Sequence, residues 1–367
     1  MLTLISFILI LGILVLAHEL GHFITAIKLG VEVEEFGIGF PPRIIAFRRK
    51  GIIYSINWIP IGGFVKIKGE SGEEADGPKS FANQKTWKKS IILSAGVLMN
   101  LLVAFIFLSV GFFIGLPQAL DTDMPLDNVH DRHVMIMEVA PNSAAEDIGL
   151  QIGDNLVSIN NNEIVDSEIV YELLQENNDG ELSLVIERNK EILEFTTQAR
   201  PIEEGGGPVL GVGMLDTGIV SYGFFESIWQ GAKGTWLMTG RIFSAFYNLF
   251  VDLFTTGKLS PGLAGPVGVA IITGQVVQLG FVYILNFAAI LSLNLAVLNI
   301  LPFPALDGGR LLFVWIEKLR GKKISQKAEA MIHNSGFVFL MVLILFITWR
   351  DFAKHSSQIW EGIKNIF

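Results

Sequence analysis

The run His18-Glu19-Leu20-Gly21-His22 places two imidazoles four positions apart. On a helix such positions share one face about one turn apart, close enough to chelate a single zinc ion. Glu19, beside the first imidazole, is then placed to accept a proton from an attacking water, the arrangement of metal-assisted hydrolysis. A polar helix-packing patch is the alternative for the same residues. The chain has no cysteine, so disulfides, thiolate nucleophiles, Cys-ligated zinc and iron–sulfur clusters are excluded, and any metal depends on histidines and carboxylates. A catalytic zinc usually takes three protein ligands and keeps a fourth position open. Asp307, in Pro302-Phe-Pro-Ala-Leu-Asp-Gly-Gly-Arg310, is the leading candidate for the third. Pro302 and Pro304 stop or bend the preceding helix, and Gly308-Gly309 let backbone approach closely. A turn aspartate capping the next helix fits these residues equally well, and His333 is a weaker competitor as ligand.

The elements that must hold these groups are apolar. Of 367 residues, 51% are hydrophobic and 17% charged, the composition of a polytopic α-helical membrane protein rather than a soluble enzyme. Four segments are long enough for a hydrocarbon core of about 30 Å: residues 2–27, 91–116, 281–301 and 331–349. The first contains His18, Glu19 and His22, and at about 1.5 Å per residue His18 lies roughly 24 Å from its outer end. Ionisable groups at that depth are costly unless they share a partner or a polar cavity. A cleaved signal peptide is the alternative for residues 2–27, but no Lys or Arg precedes the apolar run. Residues 224–254 are interrupted by Lys233, Arg241 and Asp252 and read as an interfacial amphipathic helix rather than a fifth span.

The net charge of −9 conceals a division. Residues 117–218 hold 21 Asp and Glu against 4 Lys and Arg, a net −17, so the remainder carries +8. Residues 28–90 hold 11 Lys and Arg and residues 302–330 hold 6, whereas residues 117–280 hold 7. The first two connections are expected on the cytoplasmic side, and the long middle segment and both termini outside.

Within the middle segment, Val134/Ile136/Val139, Leu156/Val157/Ile159 and Leu182/Leu184/Ile186 read as strands. A helix is expected to start at Ser143 and a second to cover Ile169–Leu174. The stretch VAPNSAAEDIGLQIGDNLVSINNNEI, Val139–Ile164, resembles the PDZ domains of membrane and periplasmic proteases. PDZ domains bind peptides by strand addition, although the groove cannot be located from the sequence, and an unliganded spacer is the alternative. Gly205-Gly206-Gly207-Pro208 reads as a flexible break. The expected organisation is a first membrane part, 1–116, carrying a cytoplasmic β-hairpin at 52–68; a PDZ domain, 128–202; a linker with the amphipathic helix, 203–275; and a second membrane part, 276–367.

HELGH in the first span, a PDZ-like insert between the second and third, and Leu306-Asp-Gly-Gly-Arg310 after the third together resemble the site-2 protease family of intramembrane zinc metalloproteases, over nearly the whole chain. The likeness is to the bacterial regulator of sigma-E protease (RseP) type, with a single PDZ domain. It implies Zn²⁺ held by His18, His22 and Asp307, with Glu19 as catalytic base. Asn299-Ile-Leu-Pro302 resembles the family's Asn-x-x-Pro segment, whose Asn is implicated in holding substrate backbone. A side-chain amide offers both donor and acceptor, while interhelical hydrogen bonding is the competing use. Tyr54–Lys68 alternates around a turn at Pro60 and Gly62-Gly63 and resembles the family's membrane-associated β-hairpin. Its edge, with Gly62, Gly63 and Phe64, would pair with an unwound substrate helix; ordinary packing is the alternative. Asn100 reads as structural or cavity-lining, and Leu263-Ala-Gly-Pro-Val-Gly268 resembles a family segment without an evident role.

The resemblance implies hydrolysis of peptide bonds in or near the spans of single-pass membrane proteins, such as anti-sigma factors or signal-peptide remnants, in a bacterial plasma membrane. The PDZ domain would meet a peptide or a substrate ectodomain, the lipid bilayer surrounds the core, and no nucleic-acid partner is expected. The alternatives are a noncatalytic membrane PDZ scaffold with a structural zinc, and a zinc transporter, which would need polar residues throughout its spans.

Overall fold

A computed structural model of the chain describes residues 2–70, 77–120, 126–177, 180–188, 191–200, 209–257, 265–322 and 324–354. Two compact units emerge: Met1–Gly111 with Ile228–Phe367, and Phe112–Ser227. The first begins with helix α1 (Leu2–Lys28), strands β1 (Val33–Arg49) and β2 (Ile52–Ile67), and helix α2 (Thr86–Ile114). The second unit contains β3 (Leu116–Ala119), β4 (Val129–Val139), α3 (Ala144–Asp147), β5 (Asn155–Ile159), β6 (Asn162–Glu163), α4 (Ser167–Glu176), β7 (Glu181–Arg188), β8 (Glu191–Gln198) and β9 (Val212–Val220). Helix α5 (Phe224–Thr256) leads back to the first unit, which ends with α6 (Pro266–Leu279), α7 (Phe281–Ile300), α8 (Asp307–Arg320) and α9 (Gln326–Lys354).

Among the described residues four helices are long and apolar enough to cross a membrane: Thr3–Lys28, Thr86–Ile114, Phe281–Ile300 and Lys327–Ala353. They coincide with the four expected segments. Helix α5 is a continuous 33-residue helix carrying Lys233, Arg241 and Asp252 and is not among them. The expected linker up to residue 275 needs correction, because α6 occupies most of its end. Pro266 fits the first turn of that helix, where its fixed φ is pre-set and its missing N–H is not needed. The expected break at Gly205–Pro208 lies outside the described residues.

The hairpin expected at 52–68 is also revised. The chain does reverse near Pro60–Gly63, but its two arms do not pair with each other. Glu35, Phe36, Gly37 and Ile38 lie between them, pairing with Lys66, Val65, Phe64 and Gly63 on one side and with Ile53, Tyr54, Ser55 and Ile56 on the other. A second reversal at Lys50-Gly51 brings Ile45–Arg49 against Ile52–Ile56. Residues 63–67 are therefore an edge of this sheet, and α1 packs against β2. Inside the sheet the buried Glu35 carboxylate accepts from Ser55 Oγ at 2.7 Å and from the Arg43 guanidinium, so a charge at a buried strand position is fully partnered.

The second unit is built on a sheet in the order β3-β9-β4-β5-β7-β8, with β6 on β5. Period-two alternation puts Val134 and Ile136, and Leu182, Leu184 and Ile186, into one core with Val170 and Leu174 of α4; a register shift in β5 brings Leu156 and Ile159 to the same side. Both helices start where side chains cap them: Ser143 Oγ accepts from Glu146 N–H at 3.2 Å and Asp166 accepts from Ile169 N–H at 3.1 Å. The unit is wider than the expected 128–202, because β3 and β9 pair with each other and β9 with β4. Asp154, 1% exposed, receives two hydrogen bonds of 2.7 Å from Arg188. Removing the guanidinium would strand a buried carboxylate. Arg188→Ala is expected to destabilise this unit by about 3 kcal/mol, read as a lower midpoint for its unfolding transition in the intact, detergent-solubilised chain, with Arg188→Lys intermediate.

Candidate metal centre

Helix α1 carries His18 and His22 on one face, and both are buried. At the other end of the first unit, Pro302 and Pro304 end α7 and turn the chain into α8, whose first residue is Asp307. The turn is tight. A Cβ on Gly308 would overlap the Ile300 and Leu301 carbonyls, and one on Gly309 the Phe303 carbonyl, which is the close backbone approach expected of this pair. Ala305 adopts φ +79°, and its N–H donates to His333 Nδ1 of α9 at 2.9 Å. His333 thus stabilises the turn that presents Asp307 and lies outside the ligand cluster.

Among the described residues, His18, His22 and Asp307 form the one group of three that could hold a metal ion. His18 Nε2 is 3.0 Å and His22 Nε2 3.2 Å from Asp307 Oδ2, and the two imidazole nitrogens are 3.2 Å apart. A tetrahedral zinc with bonds of about 2.0–2.1 Å separates its ligand atoms by roughly 3.3 Å, so both the triangle and its N₂O donor set suit that ion. His22 Nδ1–H donates to the Ile92 carbonyl at 2.8 Å, which fixes the ring with Nε2 toward the centre.

Helix α2 shapes this seat. Gly21 of α1 meets it closely, since a Cβ there would lie 2.8 Å from the Ala95 carbonyl carbon. A Cβ on Gly96 would lie 2.6 Å from His18 Cε1 and 2.7 Å from His18 Nε2, and closer still to His22 Nε2. Ile92, Gly96 and Asn100, four residues apart, thus turn a carbonyl, a gap and an amide toward the two histidines. The sequence reading missed Ile92 and Gly96 and gave Asn100 no metal-related part. The available signal was the i, i+4 spacing of Gly96 and Asn100 in an uncharged span, which matches that of the histidines.

Beside the triad opens a cavity of about 390 Å³ lined by Glu19, His22 and Asp307, by Phe64–Ile67 of β2, and by Glu70 and Arg310. Glu19 Oε2 accepts the Val65 N–H at 3.1 Å, so the edge of the sheet holds the carboxylate beside this cavity, next to His22 and Asp307. Arg310, one helical turn after Asp307, is paired with Glu70. Of the residues expected to contact substrate, Phe64 lines this cavity. Gly62 and Gly63 pack against Val15 and Leu16 of α1. Asn299 is half-buried in the last turn of α7, and neither it nor Pro302 lines the cavity. In the second unit a separate groove of about 310 Å³ runs between Tyr171 and Leu174 of α4 and residues 209–214 at the start of β9.

Residues 6–343 match the family described as Peptidase family M50. The zinc metalloprotease RasP of Geobacillus kaustophilus is 30% identical, with 96% of this chain and 98% of that protein covered. The regulator of sigma-W protease RasP of Bacillus subtilis is 28% identical, with 96% and 98% covered. Among solved structures, the PDZ domain of an SdrC-like protein of Listeria innocua is 18% identical, covering 22% of this chain and 92% of that one, with a TM-score of 0.21.

The crowding at Gly96 generates a direct prediction. Gly96→Ala should leave the fold intact but reduce bound zinc at a fixed chelator concentration by about 10-fold or more, measured by metal analysis of the purified protein. Ala95→Gly, on the neighbouring position, should leave zinc content unchanged.

Proposed function

The chain belongs to peptidase family M50, the site-2 proteases, and from that membership we infer how its metal centre hydrolyses peptide bonds in or beside membrane-spanning helices. It is an intramembrane zinc metalloprotease of regulated proteolysis. The observation that carries the reading is the convergence of His18, His22 and Asp307, from segments 285 or more residues apart in sequence, beside Glu19 and an open polar cavity.

His18, His22 and Asp307 would hold the zinc ion, which when bound would supply Lewis acidity toward water and the scissile carbonyl. Glu19 takes the water proton and returns it to the leaving amine. The Val65 N–H steadies the carboxylate for both transfers. A peptide bond inside a helix is shielded, so the substrate must be extended first. The sheet edge at residues 63–67 is placed to receive such a segment by strand addition, with Phe64 facing the cavity and Gly62-Gly63 holding the edge against α1. Asn299, at the end of α7, would help hold the substrate backbone.

The substrates in this reading are single-pass membrane proteins already trimmed on the outer side, such as anti-sigma factors or signal-peptide remnants. The Lys- and Arg-rich connections, residues 28–90 and 302–330, support an active site toward the cytoplasm with the second unit and both termini outside. On α5, the exposed Phe225, Trp229, Trp236 and Tyr247 suit a helix lying at the bilayer interface. The PDZ-like second unit acts as a size filter, and its groove between α4 and residues 209–214 would take an extended peptide or part of a substrate ectodomain.

Glu19→Gln should retain zinc and lower cleavage of a tagged single-pass substrate in liposomes by about 10²–10⁴-fold; normal cleavage would refute the base assignment. A second experiment addresses the filter. Ala119 and Thr217 are paired neighbours in β3 and β9, so residues 120–216 can be replaced by a short Gly-Ser turn. That variant should cleave substrates with intact outer domains, and unchanged selectivity would refute the filter.

A further inference from the structure

We propose that Asn100 is a positioning residue for the metal ligand His18, its side-chain amide oxygen accepting the His18 Nδ1–H. The proposal rests on the zinc reading of the triad and assigns a role to a residue outside it. His18 Nε2 is the nitrogen that faces Asp307 Oδ2 and His22 Nε2, so Nε2 supplies the lone pair to the metal. A neutral imidazole that binds through Nε2 carries its proton on Nδ1, and that proton needs an acceptor. Asn100 Nδ2 lies 3.4 Å from His18 Nδ1, on a residue 0% exposed.

The amide itself indicates which of its ends belongs there. Asn100 Oδ1 is buried without a hydrogen-bond partner, while Nδ2 faces the ring nitrogen. With the proton on Nδ1, that orientation sets one donor against another. The two orientations of an Asn amide are nearly isosteric. Turning the group by a half rotation about its last bond brings Oδ1 to Nδ1, supplies the acceptor that a ligating His18 requires, and gives the oxygen a partner.

The same face of α2 already performs this service once. Ile92 O accepts from His22 Nδ1 at 2.8 Å, and Asn100, two turns further along, stands in the corresponding relation to His18. Its backbone is fixed from the far side, where Ser292 Oγ of α7 donates to Asn100 O at 2.8 Å. Each histidine thus has one acceptor from α2, a main-chain carbonyl for His22 and a side-chain amide for His18, with Gly96 leaving room between them.

The test compares full-length wild type, Asn100→Leu, Asn100→Ala and Asn100→Asp in detergent, reading zinc affinity by competition with a chelator and the visible ligand-field spectrum of the cobalt-substituted protein. Leucine and alanine remove the acceptor and should weaken zinc binding by about 10–100-fold with shifted cobalt bands. Aspartate keeps an acceptor and should bind zinc at least as tightly as wild type. If Asn100→Leu does not fold, the contrast between Ala and Asp carries the same information. Equal affinities and superimposable cobalt spectra across the series would overturn the proposal. Wild type that takes up no zinc would instead overturn the metal reading beneath it.

Discussion

A polar group packed among apolar helices is costly to bury unless its hydrogen-bonding positions find partners. The first unit is arranged around that demand. His18 and His22 turn Nε2 toward Asp307, His22 Nδ1 is met by Ile92 O, Glu19 by Val65 N–H, and the Asp307 turn by His333. Partners therefore come from α2, β2, α8 and α9 for a cluster that begins on α1. This accounts for the close packing of otherwise featureless apolar helices: Gly21 and Gly96 let α1 and α2 approach until backbone and ring are in contact.

The sheet and the metal ligands share a frame. The edge at residues 63–67 touches Glu19 through Val65, and shortly beyond it Glu70 pairs with Arg310, one helical turn from Asp307. The sheet edge is thus tied to the triad's surroundings at two points, one on Glu19 of α1 and one on the helix that presents Asp307. A shift of the edge would therefore be felt at both Glu19 and Arg310.

What the sequence revealed was what is local. The i, i+4 histidines, the four apolar spans, the alternating strands around Val134, Leu156 and Leu182, the helix start at Ser143 and the helix over Ile169–Leu174 all depend on neighbours a few residues away. Asp307 could be named from its Pro- and Gly-rich setting, but a helix cap fitted those residues equally well until the fold brought it to 3.0 Å from a residue 289 positions away. The hairpin was misread because Glu35–Ile38 lies between arms that look self-complementary. Helix α6 was hidden because Gly265 and Gly280 bracket an apolar stretch too short to be read as a span. The orienting contacts of α2 were illegible for a different reason: a carbonyl and an absent side chain leave no mark in residue type beyond a glycine in a small-residue stretch.

Within the second unit the entering and leaving strands are antiparallel neighbours. Leu116–Ala119 lies against Thr217–Val220, and Tyr222 N–H donates to the Phe112 carbonyl at 2.9 Å. Phe112 and Tyr222, near the unit's two ends, are therefore side by side, although more than a hundred positions separate them. A module whose ends meet behaves genetically as a cassette: it can be lengthened, doubled in tandem or lost in one event without rethreading the helices on either side. The metal-bearing helices and the inserted sheet can then diverge at independent rates, because a lineage can exchange one while the other stays the same.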